Sequence, residues 1–253
     1  METQDEEIIA KMRQDVIFLL NISHAMLGEP IKQIKPIKQI NKTMQAILPM
    51  IKNVSAEKEV QLSVKVIKFS SYAELIKWNA ENENEPLIWD SISASSCNEA
   101  NIICAINLIK NEFQQQLFDG RSCRPVIVLI SNGLHDNTNI IAENIFDQDN
   151  LSPKKIIRIA IGTDNAIQEN LSRFATVGYV ESEDGWSDEI APLVFNSRNI
   201  HELKYIIHSV IGIPFFDECE YDNDYYGSNM KKDITPVFVP PCWKADWEDG
   251  DWE

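Results

Sequence analysis

Two short stretches bring together side chains that can do chemistry. FLLNISHAM (18–26) ends an apolar run on Asn21, Ser23, His24 and Ala25, and VIVLISNGLHD (126–136) ends another on Asn132, His135 and Asp136. A hydroxyl, two imidazoles and a carboxylate are the parts of a hydrolytic triad. A nucleophile, however, needs a base within hydrogen-bond reach and a third group to orient that base. Nothing in the spacing enforces this, and no GxSxG or other elbow surrounds Ser23. The second chemistry open to oxygen-bearing loops is holding a hard divalent cation, which calls for carboxylates to balance its charge. Both loops open on an amide instead. A phosphate cradle is excluded, because no Gly-rich run with Lys follows any strand.

The elements that must position these loops are legible. VIFLL (16–20), VIVLI (126–130) and IIRIAIG (156–162) are apolar on nearly every residue, which predicts strands covered on both faces in a parallel sheet. VQLSVKVIKF (60–69) alternates in places, and the SSYAELIKW that follows reads as a short edge strand reached by a tight turn. Helical periodicity runs through 41–53 (Met44, Ile47, Leu48, Ile51), 98–117 (Ile102, Ala105, Ile106, Ile109, Phe113), 165–176 and 199–211. Alternating strands and helices predict an α/β Rossmann-like sheet of about six strands, mainly parallel with one antiparallel edge and helices on both faces. Ligands then bind beyond the carboxyl ends of the strands, where Asn21–Ala25 and Ser131–Asp136 both fall.

One oddity precedes the first helix. PIKQIK is followed at once by PIKQIN, a tandem duplication over 30–41. Six residues are about 1.67 helical turns, so the copy cannot extend a helix with its buried face in phase. Pro36 would also break a continuing helix, which places the helix start near Pro36. The first copy is then an extra turn or loop: an accident tolerated at the surface or an added contact surface.

The order strand, N-x-S-x-A, GEP, helix, edge hairpin, helix, VIVLISNG resembles a von Willebrand factor A (VWA) domain. AMLGEPIKQIN, SVKVIKFSSYAEL and RPVIVLISNG are most similar to its bacterial tellurium-resistance (TerY-like) branch, over roughly Asp15 to Ile213. The resemblance implies a metal-ion-dependent adhesion site built from Asp-x-Ser-x-Ser after the first strand, a Thr opening the second major helix and an Asp-Gly after the fourth strand. Those positions fall here on Asn21, Ser23, Ala25, Ala100 and Asn132, with His24 in the same loop, and Ser23 alone keeps the family's residue. The expected rim is degenerate and holds no metal or other cofactor. Replacing both aspartates by amides removes the like-charge repulsion that an absent ion would leave behind. Ser95, Ser96 or Asp136 rescuing the ion is the alternative, and a Ser23–His hydrolase a more distant one.

The five cysteines form neither a C-x-x-C nor a readable disulfide framework. METQDEEIIAKMRQ carries acids where a signal peptide needs a basic region, and no apolar run approaches the roughly 18 residues of a membrane span. The expected address is the cytoplasm. A net charge of −16 argues against nucleic acid or an anionic membrane as partner. Half of that charge lies between Asp217 and Glu253, which hold eleven acids and three bases. Domain organisation is therefore expected as an N-terminal extension (1–14), the VWA unit (15–213) and an acidic C-terminal extension (214–253). In the last, Trp243, Trp247 and Trp252 are candidate interface anchors. The function expected is non-enzymatic: a scaffold or regulatory subunit in a bacterial stress-response or defence complex. The resemblance implies a metal-dependent Ser/Thr phosphatase and a protein kinase as partners.

Overall fold

The computed structural model describes residues 12–28, 35–50, 60–76, 89–113, 125–133, 156–163, 166–181, 188–197 and 199–212. Residues 1–11, His135, Asp136, most of the first hexapeptide copy and the tail with Trp243, Trp247 and Trp252 lie outside them.

The described residues form eight strands: β1 (Met12–Asn21), β2 (Val60–Phe69), β3 (Ala73–Ile76), β4 (Val126–Ser131), β5 (Ile157–Thr163), β6 (Val177–Glu181), β7 (Asp188–Pro192) and β8 (Val194–Ser197). Among the described residues the α-helices are α1 (Pro36–Ile47), α2 (Ile102–Phe113), α3 (Gln168–Phe174) and α4 (Ile200–Gly212). Six strands make one sheet in the order β3-β2-β1-β4-β5-β8, parallel except for the β2–β3 pair, while β6 and β7 pair as a separate antiparallel ribbon. This is the mixed, mostly parallel Rossmann-like sheet the sequence predicts.

The core follows from the apolar runs. Val16 to Leu20 and Val126 to Ile130 are sealed on both faces of the sheet, as continuous rather than alternating apolarity requires. Helices α1 and α4 pack together, α2 packs on β2 and β3, and α3 on β5 and β8. Because β-α-β crossovers are right-handed, the chain winds outward from β1 in opposite directions with its helices on opposite faces. The reversal occurs between β1 and β4.

Several boundaries differ from expectation. β1 reaches back to Met12, so three residues assigned to the N-terminal extension pair with β2, and Asp15 is buried against Lys65 Nζ at 2.7 Å. Helix α1 does start at Pro36, as expected, with Pro at its first position and Lys35 as N-cap, where the missing N–H costs nothing. Helix α2 begins at Ile102 rather than Asn98, because Asn101 Oδ1 accepts the Ile103 N–H at 3.1 Å and caps it. The β6–β7 ribbon and the edge strand β8 are additions to the sequence reading.

Candidate functional rim

The winding reversal places the carboxyl ends of β1 and β4 side by side, the position where such sheets open a binding crevice. The register Leu20↔Ile130 sets Asn21 opposite Ser131. Asn21, fully buried, uses both ends of its carboxamide. Its Oδ1 accepts the Ser23 N–H at 2.9 Å, while Nδ2 donates to Ser131 Oγ at 3.0 Å and lies 3.5 Å from Asn132 Oδ1. Ser131 Oγ in turn accepts the Gly133 N–H at 3.1 Å. One amide thus ties the two loops that the sequence singled out.

The loop after β4 is fixed on its far side as well. Gly133 has φ +74°, and a Cβ there would sit 2.6 Å from the Ile167 carbonyl oxygen, so both conformation and space demand glycine. The Ile167 N–H donates to the Asn132 carbonyl at 3.0 Å, and Asn170 Nδ2 to the Gly133 carbonyl at 2.7 Å. Met26, buried in a 3-10 turn over His24–Leu27, reaches Thr163 Oγ1 at the end of β5 with its sulfur, 4.0 Å away.

Residues 89–101 close the other side. Asn41 of α1 holds this segment: Oδ1 accepts from Trp89 Nε1 and the Ile92 N–H, both at 2.9 Å, and Nδ2 donates to the Ile92 carbonyl at 2.8 Å. The strap then pairs with the β1 loop, Ser95 N–H to the Ile22 carbonyl at 2.6 Å and His24 N–H to the Cys97 carbonyl at 2.9 Å. Ser95 Oγ accepts the Cys97 N–H at 3.0 Å, so that hydroxyl already serves the strap's own turn; Ser96 is exposed. Asn101 N–H bonds the Ser70 carbonyl at 2.8 Å, which sets Ala100, buried, beside the end of β2.

The structure therefore gathers Asn21, Ser23, His24, Ala25 and Asn132 at one crevice, with Ala100 on the strap that borders it. The two amides engage the loops, but the Ser23 hydroxyl, fully buried, has no hydrogen-bond partner among the described residues. Only its backbone N–H joins the network. His24 is exposed, so no Ser–His hydrogen bond forms between these neighbours. No group of three His, Cys, Asp or Glu that could hold a metal occurs among the described residues. The sequence reading set Ser131 on the rim without a role and missed Asn101 and Asn170; the pairing of Ser131 with Asn21 was available from register once β1 and β4 were taken as neighbours. No described helix is long and apolar enough to cross a membrane.

The von Willebrand factor type A domain model matches residues 15–191. The chain belongs to that family, whose members generally act as non-enzymatic protein-interaction modules. Among solved structures it is similar to proximal thread matrix protein 1 from the mussel byssus, with TM-score 0.53 and 13% identity over 79% of this chain and 48% of that one. Another structure of the mussel protein gives 0.51 and 14%, over 80% and 46%. The hypothetical protein BatB from Bacteroides thetaiotaomicron gives 0.49 and 17%, over 76% and 94%. The chain spans about half the length of the mussel protein, and at these identities the likeness is one of fold. Comparison with curated proteins gives no significant sequence match.

Proposed function

We propose that this chain is a metal-free VWA interaction module, a scaffold or regulatory subunit rather than an enzyme. The observation that carries the reading is the Asn21 carboxamide, spent entirely on Ser23, Ser131 and Asn132. Both Nδ2 hydrogens are turned to Ser131 and Asn132 rather than leaving an oxygen for a cation, and no carboxylate stands at 21, 23, 25, 100 or 132. An octahedral hard ion that dehydrates reluctantly gains too little from neutral oxygens to leave water. These residues do not fit such an ion. A rescued site is disfavoured by Ser95, whose hydroxyl already accepts from Cys97. The test is calorimetric and thermal-shift titration of the full chain with Mg²⁺ and Mn²⁺. No heat and no shift in Tm is expected through the low millimolar range; saturable binding that Ser23→Ala removes overturns the reading.

Without an ion to grip a partner's carboxylate, recognition falls to other surfaces, and the tryptophans at 243, 247 and 252 are the anchors the sequence offers. The TerY-like resemblance supports a bacterial cytoplasmic setting and a phosphatase or kinase as partner. Pull-down from the native host with all three tryptophans changed to alanine should lose the partner while the Tm holds. Unchanged recovery sends the search to the rim and helices.

A further inference from the structure

The duplicated hexapeptide has a physical consequence on helix α1. From Pro30 to Ala56 the chain holds five lysines and no acid, in a protein that has 39 acids. The repeat generates most of this run, supplying Lys32, Lys35 and Lys38 at three-residue steps, with Lys42 one turn further on. In the structure the second copy opens α1. Ile37 and Ile40 are buried, Lys38 and Lys42 are exposed one turn apart, and Lys35 is half-buried at the N-cap. None of these three lysines forms an ion pair with a described residue. Of the described acids near this layer, Glu202 of α4 bonds Asn199 instead, and Asp90 beside the Asn41 cluster is exposed. A strip of positive charge without an ion pair among the described residues, on a chain of net −16, is where an acidic ligand is held best.

We infer that the occupant is the chain's own acidic C-terminal segment, residues 217–253, lying along the Lys35–Lys38–Lys42 strip. Charge is the first reason: that segment carries −8 and the strip is basic. Placement is the second. Helix α4, which ends at Gly212 just before the segment, packs directly on α1. Reach is no obstacle: a 12-residue helix is about 18 Å long, and about six extended residues span it. Individual exposed ion pairs are weak, but a tethered ligand at an effective concentration near the millimolar range needs only weak contacts. Ala46 and Pro49, both exposed past Lys42, offer apolar ground to aromatic side chains interleaved with the acids. Docked this way, the tail masks its own tryptophans, and a basic partner must displace it. The inference is independent of the rim and of metal binding.

The test is zero-length carbodiimide coupling of carboxylates to amines in the full chain, without partner, read by peptide mass spectrometry. A mixture of isotopically light and heavy protein separates links within one chain from links between chains. The expected result is intrachain links from Lys35, Lys38 or Lys42 to acids in 217–253, suppressed in 1 M salt, where the screening length falls to about 3 Å. Changing the three lysines to glutamine should lower tail docking about tenfold, the order that three exposed ion pairs contribute. The gain should appear as faster tail proteolysis at an unchanged Tm. Tail links spread over Lys110 and Lys204 as readily as over the strip overturn the proposal, and so do links confined to light–heavy pairs.

Discussion

Asn21→Asp asks the rim what it was built to hold. The substitution is nearly isosteric but removes both Nδ2 donations, the 3.0 Å bond to Ser131 Oγ and the longer approach to Asn132 Oδ1. A buried hydrogen bond of this kind contributes about 1 kcal/mol. The new oxygen would face Asn132 Oδ1 across about 3.5 Å, acceptor against acceptor, so that contact turns repulsive. A fully buried carboxylate also pays for desolvation, relieved in part by the Ser23 N–H it still accepts and capped because the group can protonate instead. Together these cost about 2–4 kcal/mol at pH 7, or roughly 5–15 °C in Tm for a chain of this size. The sign with pH follows. Burial raises the carboxyl's folded pKa above its unfolded value, so the penalty is present at neutral pH and fades as the acid protonates on the way down to pH 4. Differential scanning calorimetry of variant and parent between pH 4 and 8, with and without 5 mM Mg²⁺, reads it directly. An unchanged Tm at pH 7 refutes the claim that the Asn21 amide ties the two loops together. A variant that Mg²⁺ restores refutes the proposal that one carboxylate is too few.

Asn132→Asp should destabilise by about 1–3 kcal/mol at neutral pH, because its Oδ1 neighbour is a donor but its site lacks a counter-ion; equilibrium denaturation checks it. The combined substitutions Asn21→Asp, Ala25→Ser, Ala100→Thr and Asn132→Asp should create Mg²⁺ binding that none confers alone, seen as heat in a calorimetric titration. Gly133→Ala should cost about 2–4 kcal/mol in chemical unfolding, from its positive φ and the clash with the Ile167 carbonyl. Asn41→Ala removes three hydrogen bonds around Trp89 and Ile92, and should lose about 2–3 kcal/mol. It should also speed amide exchange at Ser95 before the core opens.

Where one physical signal dominated, the sequence was readable. β2 falls on 60–69 as predicted, and Pro36 starts α1, because apolar pattern and proline geometry each leave one answer. The strap from 89 to 101 was opaque: its conformation is set by Asn41, fifty residues away, and no local periodicity encodes that. DEIAP and VFNS were passed over since short mixed segments at a sheet margin pair only through their neighbours. At the rim the two amides were legible as the polar residues on which the apolar runs end. The role of Ser131 was not, because a hydroxyl at the end of an apolar strand looks ordinary until strand order makes it the residue opposite Asn21.

β1 is the first of the described strands in the chain and sits in the middle of the sheet, between β2 and β4. Its pairing with β4, and the Asn21–Ser131 bond that closes the rim, joins residues 110 apart in the chain. At a synthesis rate of ~5–20 residues per second, the strand's second edge stays open for ~5–20 s after it leaves the ribosome. During that interval VIFLL is an unpaired apolar edge, the kind that recruits other chains. Non-local parallel pairing of this kind is also slow. The buried amide at position 21 therefore bears on the nascent chain: left unmatched until β4 arrives, it penalises any wrong partner that offers only carbon.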